Sequence, residues 1–151
     1  MRITITVQGA DQVQARMRRL GQDLYDFSAE LRSTGQYLAD YFSRVPFGTL
    51  GRNYGSQWPD VTPGRAAYKQ KYYPQNAHNA LQASGLMRNS FAYESSRLSL
   101  AVRNTQPYFR YHQLGEGRNP LRVMMAIDAT NKAEVIRIIT EGVQARINAS
   151  R

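Results

Sequence analysis

The period of the apolar residues changes along this chain, and each change restricts the fold. Over residues 2–8, Ile3, Ile5 and Val7 alternate with Thr4 and Thr6, the period of two that turns one face of a strand inward. Gly9 ends that run, and Asp11 is placed to cap a helix. From there to residue 45 the step becomes three and four. Val13, Met17, Leu20, Leu24, Phe27 and Leu31 make a stripe that Leu38, Phe42 and Val45 continue, with Arg16, Arg18, Arg19, Asp23, Asp26, Glu30 and Arg32 opposite. The stripe predicts one long helix, or two with a kink, because Gly21 and Gly35 each weaken a helix by up to about 1 kcal/mol relative to Ala. Unbroken, it would be about 50 Å long. That exceeds the width of so small a domain, so one end is expected to project or to pack on a neighbouring subunit. Pro46 is expected to stop it.

Residues 47–63, FGTLGRNYGSQWPDVTP, have no period and are rich in Gly, Asn, Ser and Pro, which predicts an extended loop. Loops of that length in a small domain are usually functional or mobile. This one holds the only Trp, Trp58, together with Arg52 and Tyr54. Such residues anchor interfaces. A Trp in a small domain can equally fold back to plug the core, and the sequence leaves both open. Thr62-Pro63 then opens a capped helix that carries Arg65, Tyr68, Lys69, Lys71, Tyr72 and Tyr73. Basic residues among aromatics can stack single-stranded nucleic acid, but a solvated or partner-facing helix is the favoured reading. Residues 74–79 make another loop, with His78 exposed in it.

A strand ending near Ser95, a turn at Ser95-Ser96 and a second strand over residues 97–103 predict a hairpin, with Leu98, Leu100 and Val102 on one face. Pro107 can begin a short helical turn through Leu114 that Gly115 and Gly117 end. Residues 121–127, LRVMMAI, are mostly apolar and predict a fourth strand covered on both faces. Asp128 or Thr130 caps the last helix, whose stripe is Val135, Ile138, Ile139, Val143 and Ile147; the final four residues should fray. The sum is a single α+β domain over residues 1–151. Its mainly antiparallel four-stranded sheet is packed by a long N-terminal helix and a C-terminal helix, with the 47–63 loop between them.

Composition removes several functions. The absence of Cys excludes disulfides, thiol catalysis and Cys-based zinc sites. No His/Asp/Glu spacing fits a metal, and no nucleophile motif is present. His112 and Glu116 could form a base and its orienter, although a structural His in an aromatic turn is the better reading. The expectation is a non-enzyme with no cofactor and no metal. No apolar run approaches the roughly 20 residues of a membrane helix, and the start lacks a signal peptide's apolar segment. A soluble, cytoplasmically made protein with no membrane contact is therefore expected. The net charge is +9, and 17 of the 20 basic residues are Arg, the residue suited to bidentate carboxylate and phosphate contacts. The charges are scattered, which argues against sequence-specific nucleic-acid readout. Docking on acidic protein surfaces or a sequence-blind nearness to DNA remain.

The order of certain motifs adds a resemblance. They are Trp58-Pro59 with a short basic segment after it; Leu81-Gln-Ala-Ser84-Gly85-Leu86-Met-Arg-Asn-Ser90; a strand; Tyr108-Phe-Arg-Tyr111-His112-Gln113-Leu-Gly115; Pro120-Leu-Arg122-Val123-Met124; and the amphipathic helix from Glu134 to Ile147. In that order they resemble the phage virion morphogenesis family, the tail-completion and head–tail joining proteins of Mu-like tailed phages. Val123 and Met124 stand where the family usually has Pro-Phe. The resemblance runs from about residue 57 onward. It implies a structural virion protein that closes into a hexameric ring at the head–tail neck, completes or terminates the tail tube, and docks on the head connector or stopper. Genomic DNA would pass through its lumen without sequence specificity. Assembly in the host cytoplasm follows. The residues expected at partner or subunit contacts are Arg52, Tyr54, Trp58, Arg65, Lys69, Lys71, Tyr108, Tyr111, His112 and Arg122. The rival expectation is a stand-alone basic nucleic-acid-binding protein.

Overall fold

The structure, a computed structural model, describes residues 1–6, 9 and 26–149. Their elements are β1 (Arg2–Thr6), α1 (Ser28–Thr49), α2 (Pro63–Tyr72), β2 (Phe91–Ser95), β3 (Ser99–Asn104), α3 (Phe109–Leu114) and α4 (Ala129–Ala149), with 3₁₀ turns at Arg52–Tyr54 and Pro74–Asn76. The class is α+β, as expected. Among the described residues the sheet has three antiparallel strands, in the order β1-β3-β2, rather than four.

Residues 121–127 do not form the expected fourth strand because side chains take their backbone bonds. The Gln113 amide oxygen accepts from Met124 N at 2.8 Å and Met125 N at 3.0 Å, and its nitrogen donates to Met125 O at 3.0 Å. The Trp58 indole donates to Val123 O at 3.0 Å, and the Tyr54 hydroxyl accepts from Ala126 N at 3.3 Å. Buried backbone groups must be paired, and here three side chains do what a neighbouring strand would do. Met124 and Met125 are fully buried beneath them.

Of the expected long N-terminal helix, the described residues show the later part, α1. The first described helix begins at Ser28, whose N–H is capped by the Asp26 carboxylate at 2.8 Å; residues 11–25, with the cap expected at Asp11, lie outside the described residues. Nor does Pro46 stop α1, which continues to Thr49. Proline lacks the N–H that would reach back one turn, but its carbonyl still accepts. Leu50 turns left-handed at φ 51°, and Gly51 N donates to Pro46 O at 2.9 Å. That is a Schellman close with Leu where Gly is usual. The stretch 47–63 is correspondingly not a free loop. Phe47 belongs to α1, and Phe47 and Trp58 are both buried, edge to face at 5.4 Å.

Other expectations hold. Thr62 caps α2 and accepts from Arg65 N at 3.4 Å, with Pro63 in the first turn. Gly115 ends α3 at φ 66°. Asp128 accepts from Asn131 N at 2.7 Å at the start of α4.

The chain divides into two compact units, and α1 and the hairpin contribute residues to each. The first unit holds residues 39–92 and 103–126 with Met1. Its core is a chain of rings: Phe91 lies 5.9 Å from Phe42, 6.4 Å from Phe47 and 5.8 Å from Phe109. Gly51, at φ 83°, sits against the Trp58 indole with no room for a Cβ. Polar side chains tie the unit's loops to its helix end: Gln82 donates to Phe47 O at 3.0 Å and Arg88 to Ser43 O at 2.9 Å.

The second unit holds the described residues of 2–38 together with 93–102 and 127–149. Its α1 segment approaches the sheet through Gly35. A Cβ there would press on the Tyr93 ring, 2.6 Å from its Cγ, and lie 2.8 Å from Leu100 Cδ1. Glu30 is buried and pairs with Arg146 of α4 at 2.9 Å, in space that Gly142 leaves open. Asn131 is buried and donates to the Tyr37 hydroxyl at 3.2 Å. The α4 stripe of Val135, Ile138, Ile139, Val143 and Ile147 is only half-buried, and Ile136 is 55% exposed. Among the described residues no helix is long and apolar enough to cross a membrane.

Candidate functional site

Four stretches of the first unit line a cavity of about 470 Å³. The segment leading into α2 gives Asp60, Val61 and Thr62, and α2 itself gives Arg65 and Lys69. Those two are four apart and therefore share a helix face. The turn before β2 adds Leu81, Ala83, Ser84, Leu86 and Met87. That turn is bent by two left-handed residues, Leu81 at φ 61° and Gly85 at φ 79°. Tyr108 and His112 come from α3 and its start, and Asn119, Pro120 and Arg122 from the return after Gly115.

Lys69 is 2% exposed, and its ammonium donates to the Asn79 carbonyl. Burial holds its pKa below the ordinary lysine value, and Arg65 adds to this. Arg122 is also buried. Its guanidinium donates to Pro59 O at 2.8 and 3.2 Å and to Asp60 O at 3.3 Å, while its backbone N–H reaches His112 O at 2.8 Å. Burial lowers its pKa, and Asp60 partly opposes that. His112 has a solvent-shielded Nδ1 with no hydrogen-bond partner among the described residues. Burial, then the nearby Arg122, pushes its pKa below the usual imidazole value. Glu116 does not orient it, being bound to Arg110 at 3.1 and 3.2 Å. Nothing here forms a base–orienter pair. Among the described residues no cluster of His, Asp and Glu could hold a metal ion.

Of the ten residues expected at contacts, Arg65, Lys69, Tyr108, His112 and Arg122 meet at this cavity. The other five do not. Trp58 and Tyr54 are spent on the 121–127 backbone. Arg52 lies along the surface on Gln57 at 2.8 Å, Lys71 sits 5.2 Å over the Tyr72 ring, and Tyr111 carries Arg110 at 5.8 Å. Sequence reasoning passed over Asp60 and Asn119, which carry no motif of their own. Leu81, Leu86 and Met87 stood inside a noted motif, but nothing in the sequence turned them toward His112. On the exposed side of α2, the Tyr68 and Tyr72 rings meet at a 43° tilt with centroids 4.8 Å apart, and Arg65 lies 4.8 Å over Tyr68.

Comparison of the chain with protein-family models, with curated proteins and with solved structures gives no match.

Proposed function

We propose that this chain is a structural virion protein of a tailed phage. In this reading it forms a ring at the head–tail neck that completes or terminates the tail and joins it to the head connector, with DNA passing through the lumen. One observation carries the reading. The stretches that hold the family-like motifs, residues 81–90, 108–115 and 120–124, are distant in sequence yet supply most of one cavity wall together with the basic segment after Trp58-Pro59. A shared wall is what a common contact surface needs. The half-buried stripe of α4 supports self-association, since a ring buries heterologous faces between neighbours. The test is mass by light scattering with and without tail tubes. A discrete ring near six copies, alone or only with tubes, is expected; a monomer indifferent to tubes overturns the reading.

The alternative is a stand-alone nucleic-acid-binding protein. The exposed Arg65, Tyr68, Tyr72 and Lys71 ladder on α2 favours it, because stacked aromatics beside cations suit single strands. Affinity for DNA that falls steeply with salt would support it.

A further inference from the structure

Three cations, Arg65, Lys69 and Arg122, line the cavity of the first unit against one carboxylate, Asp60. Among the described residues none of the three is in an ion pair, and Asp60 meets Arg122 through its backbone carbonyl. An ammonium has three donors, and Lys69 uses one, on Asn79. A buried cation without an anion is costly. His112 Nδ1 is a further polar atom shielded from water and left without a partner. Beside these groups the wall is apolar: Leu81, Leu86, Met87 and Pro120. Leu86 is 57% exposed and Tyr108 39%, so the wall reaches solvent.

We propose that this cavity is a binding site for an acidic segment of a partner protein, whose carboxylate meets Lys69 while a neighbouring apolar side chain lies on Leu86 and Met87. The inference stands on the cavity alone and does not need the neck reading. The choice of occupant follows from charge and shape. A carboxylate supplies the missing anion, and charge-assisted hydrogen bonds to a buried cation such as Lys69 are the strong ones. A volume of about 470 Å³ suits a pocket for a few side chains. Nucleic acid instead tracks an open basic groove and stacks on free aromatic faces. The aromatic ladder of Tyr68 and Tyr72 is not part of this wall.

The probe is acetyl-Ala-Leu-Glu with a free C-terminus, titrated into the full chain labelled with ¹³C at its methionine methyls. Met87 lines the cavity and Met124 and Met125 do not, which gives a local and a control signal. Saturable movement of the Met87 signal is expected, with affinity weakened about tenfold or more for the amidated Gln counterpart and for the Lys69→Met variant. Should Lys69→Met not fold, Arg65→Gln at the exposed edge is expected to weaken the same titration several-fold, as loss of a partly screened charge should. Equal binding of the neutral peptide, an equal Met87 shift from inorganic phosphate alone, displacement by a tighter-binding oligonucleotide, or no shift up to the peptide's solubility would each overturn the assignment.

Discussion

Gly35 and Gly48 both lie in α1, and replacing each with Ala should move stability in opposite directions. In a helix interior Ala is better than Gly by up to about 1 kcal/mol. At Gly48 a Cβ meets nothing within 4 Å, so Gly48→Ala keeps whatever part of that gain the last turn allows. At Gly35 the new methyl would press on the Tyr93 ring, 2.6 Å from its Cγ, and lie 2.8 Å from Leu100 Cδ1. Leu100 meets it with Cδ1 and is fully buried, so its own methyl can move only by displacing its core neighbours. Tyr93 meets the methyl with the inner atoms of its ring, so no flexible tip can swing aside. Overpacking of this kind costs about 1–3 kcal/mol. Subtracting up to about 1 kcal/mol of helix gain leaves Gly35→Ala destabilised by as much as about 2 kcal/mol. At this chain length each kcal/mol moves the melting temperature by about 2–4 °C. Thermal and urea unfolding followed by circular dichroism at matched protein concentration would measure both variants. If Gly35→Ala is as stabilising as Gly48→Ala, the close approach of α1 to Tyr93 and Leu100 is wrong.

Three further outcomes can be checked. Trp58→Phe strands the Val123 carbonyl and leaves a void beside Phe47, so a loss of about 2–4 kcal/mol is expected in urea unfolding; an unchanged midpoint would refute the plug. Gln113→Leu removes three hydrogen bonds and should cost about 2–4 kcal/mol. Its signature is selective: hydrogen exchange at the Met124 and Met125 amides should accelerate more than in β3, and a uniform change would count against the strap. Acid should also destabilise the fold through His112. Its folded pKa lies below the ordinary 6.5, so the unfolded chain binds the proton more readily. That stability is full above pH 6.5 and is lost as the pH falls from there toward the folded value. Arg122, Lys69, Arg65 and Asp60 face the same cavity, and the excess of positive charge keeps the sign. The drop between pH 7.5 and 5.5 should shrink in His112→Gln; an identical drop would place the acid sensitivity elsewhere.

Local chemistry was readable in the sequence wherever one residue suffices to fix it. Thr62-Pro63, Asp128 and Gly115 set helix boundaries through their own side chains or dihedrals, and alternation over residues 97–103 announced β3. The misses share a cause: each depends on a distant partner. Pro46 reads as a stop until Leu50 and Gly51 fold back onto its carbonyl. Gly35 reads as a soft point in a helix until Tyr93 and Leu100 press on it. The 121–127 run reads as a strand because apolar content reports burial and not who takes the hydrogen bonds. The cavity was half visible for the same reason. Its charged members stand out by type, while Asp60, Met87 and Asn119 become wall residues only when four stretches meet.

The strapping of residues 121–127 has a consequence for how the protein behaves when it is concentrated. RVMMAI is a short apolar run with a single charge, and such runs pair edge to edge with their copies when their backbone groups are free. Natural sheets guard such edges with charges, prolines or bulges. Here Gln113, Trp58 and Tyr54 occupy the amides of Met124, Met125 and Ala126 and the carbonyls of Val123 and Met125. The three side chains therefore keep a sticky segment from recruiting other molecules, and damage to any of them would set free a template for aggregation.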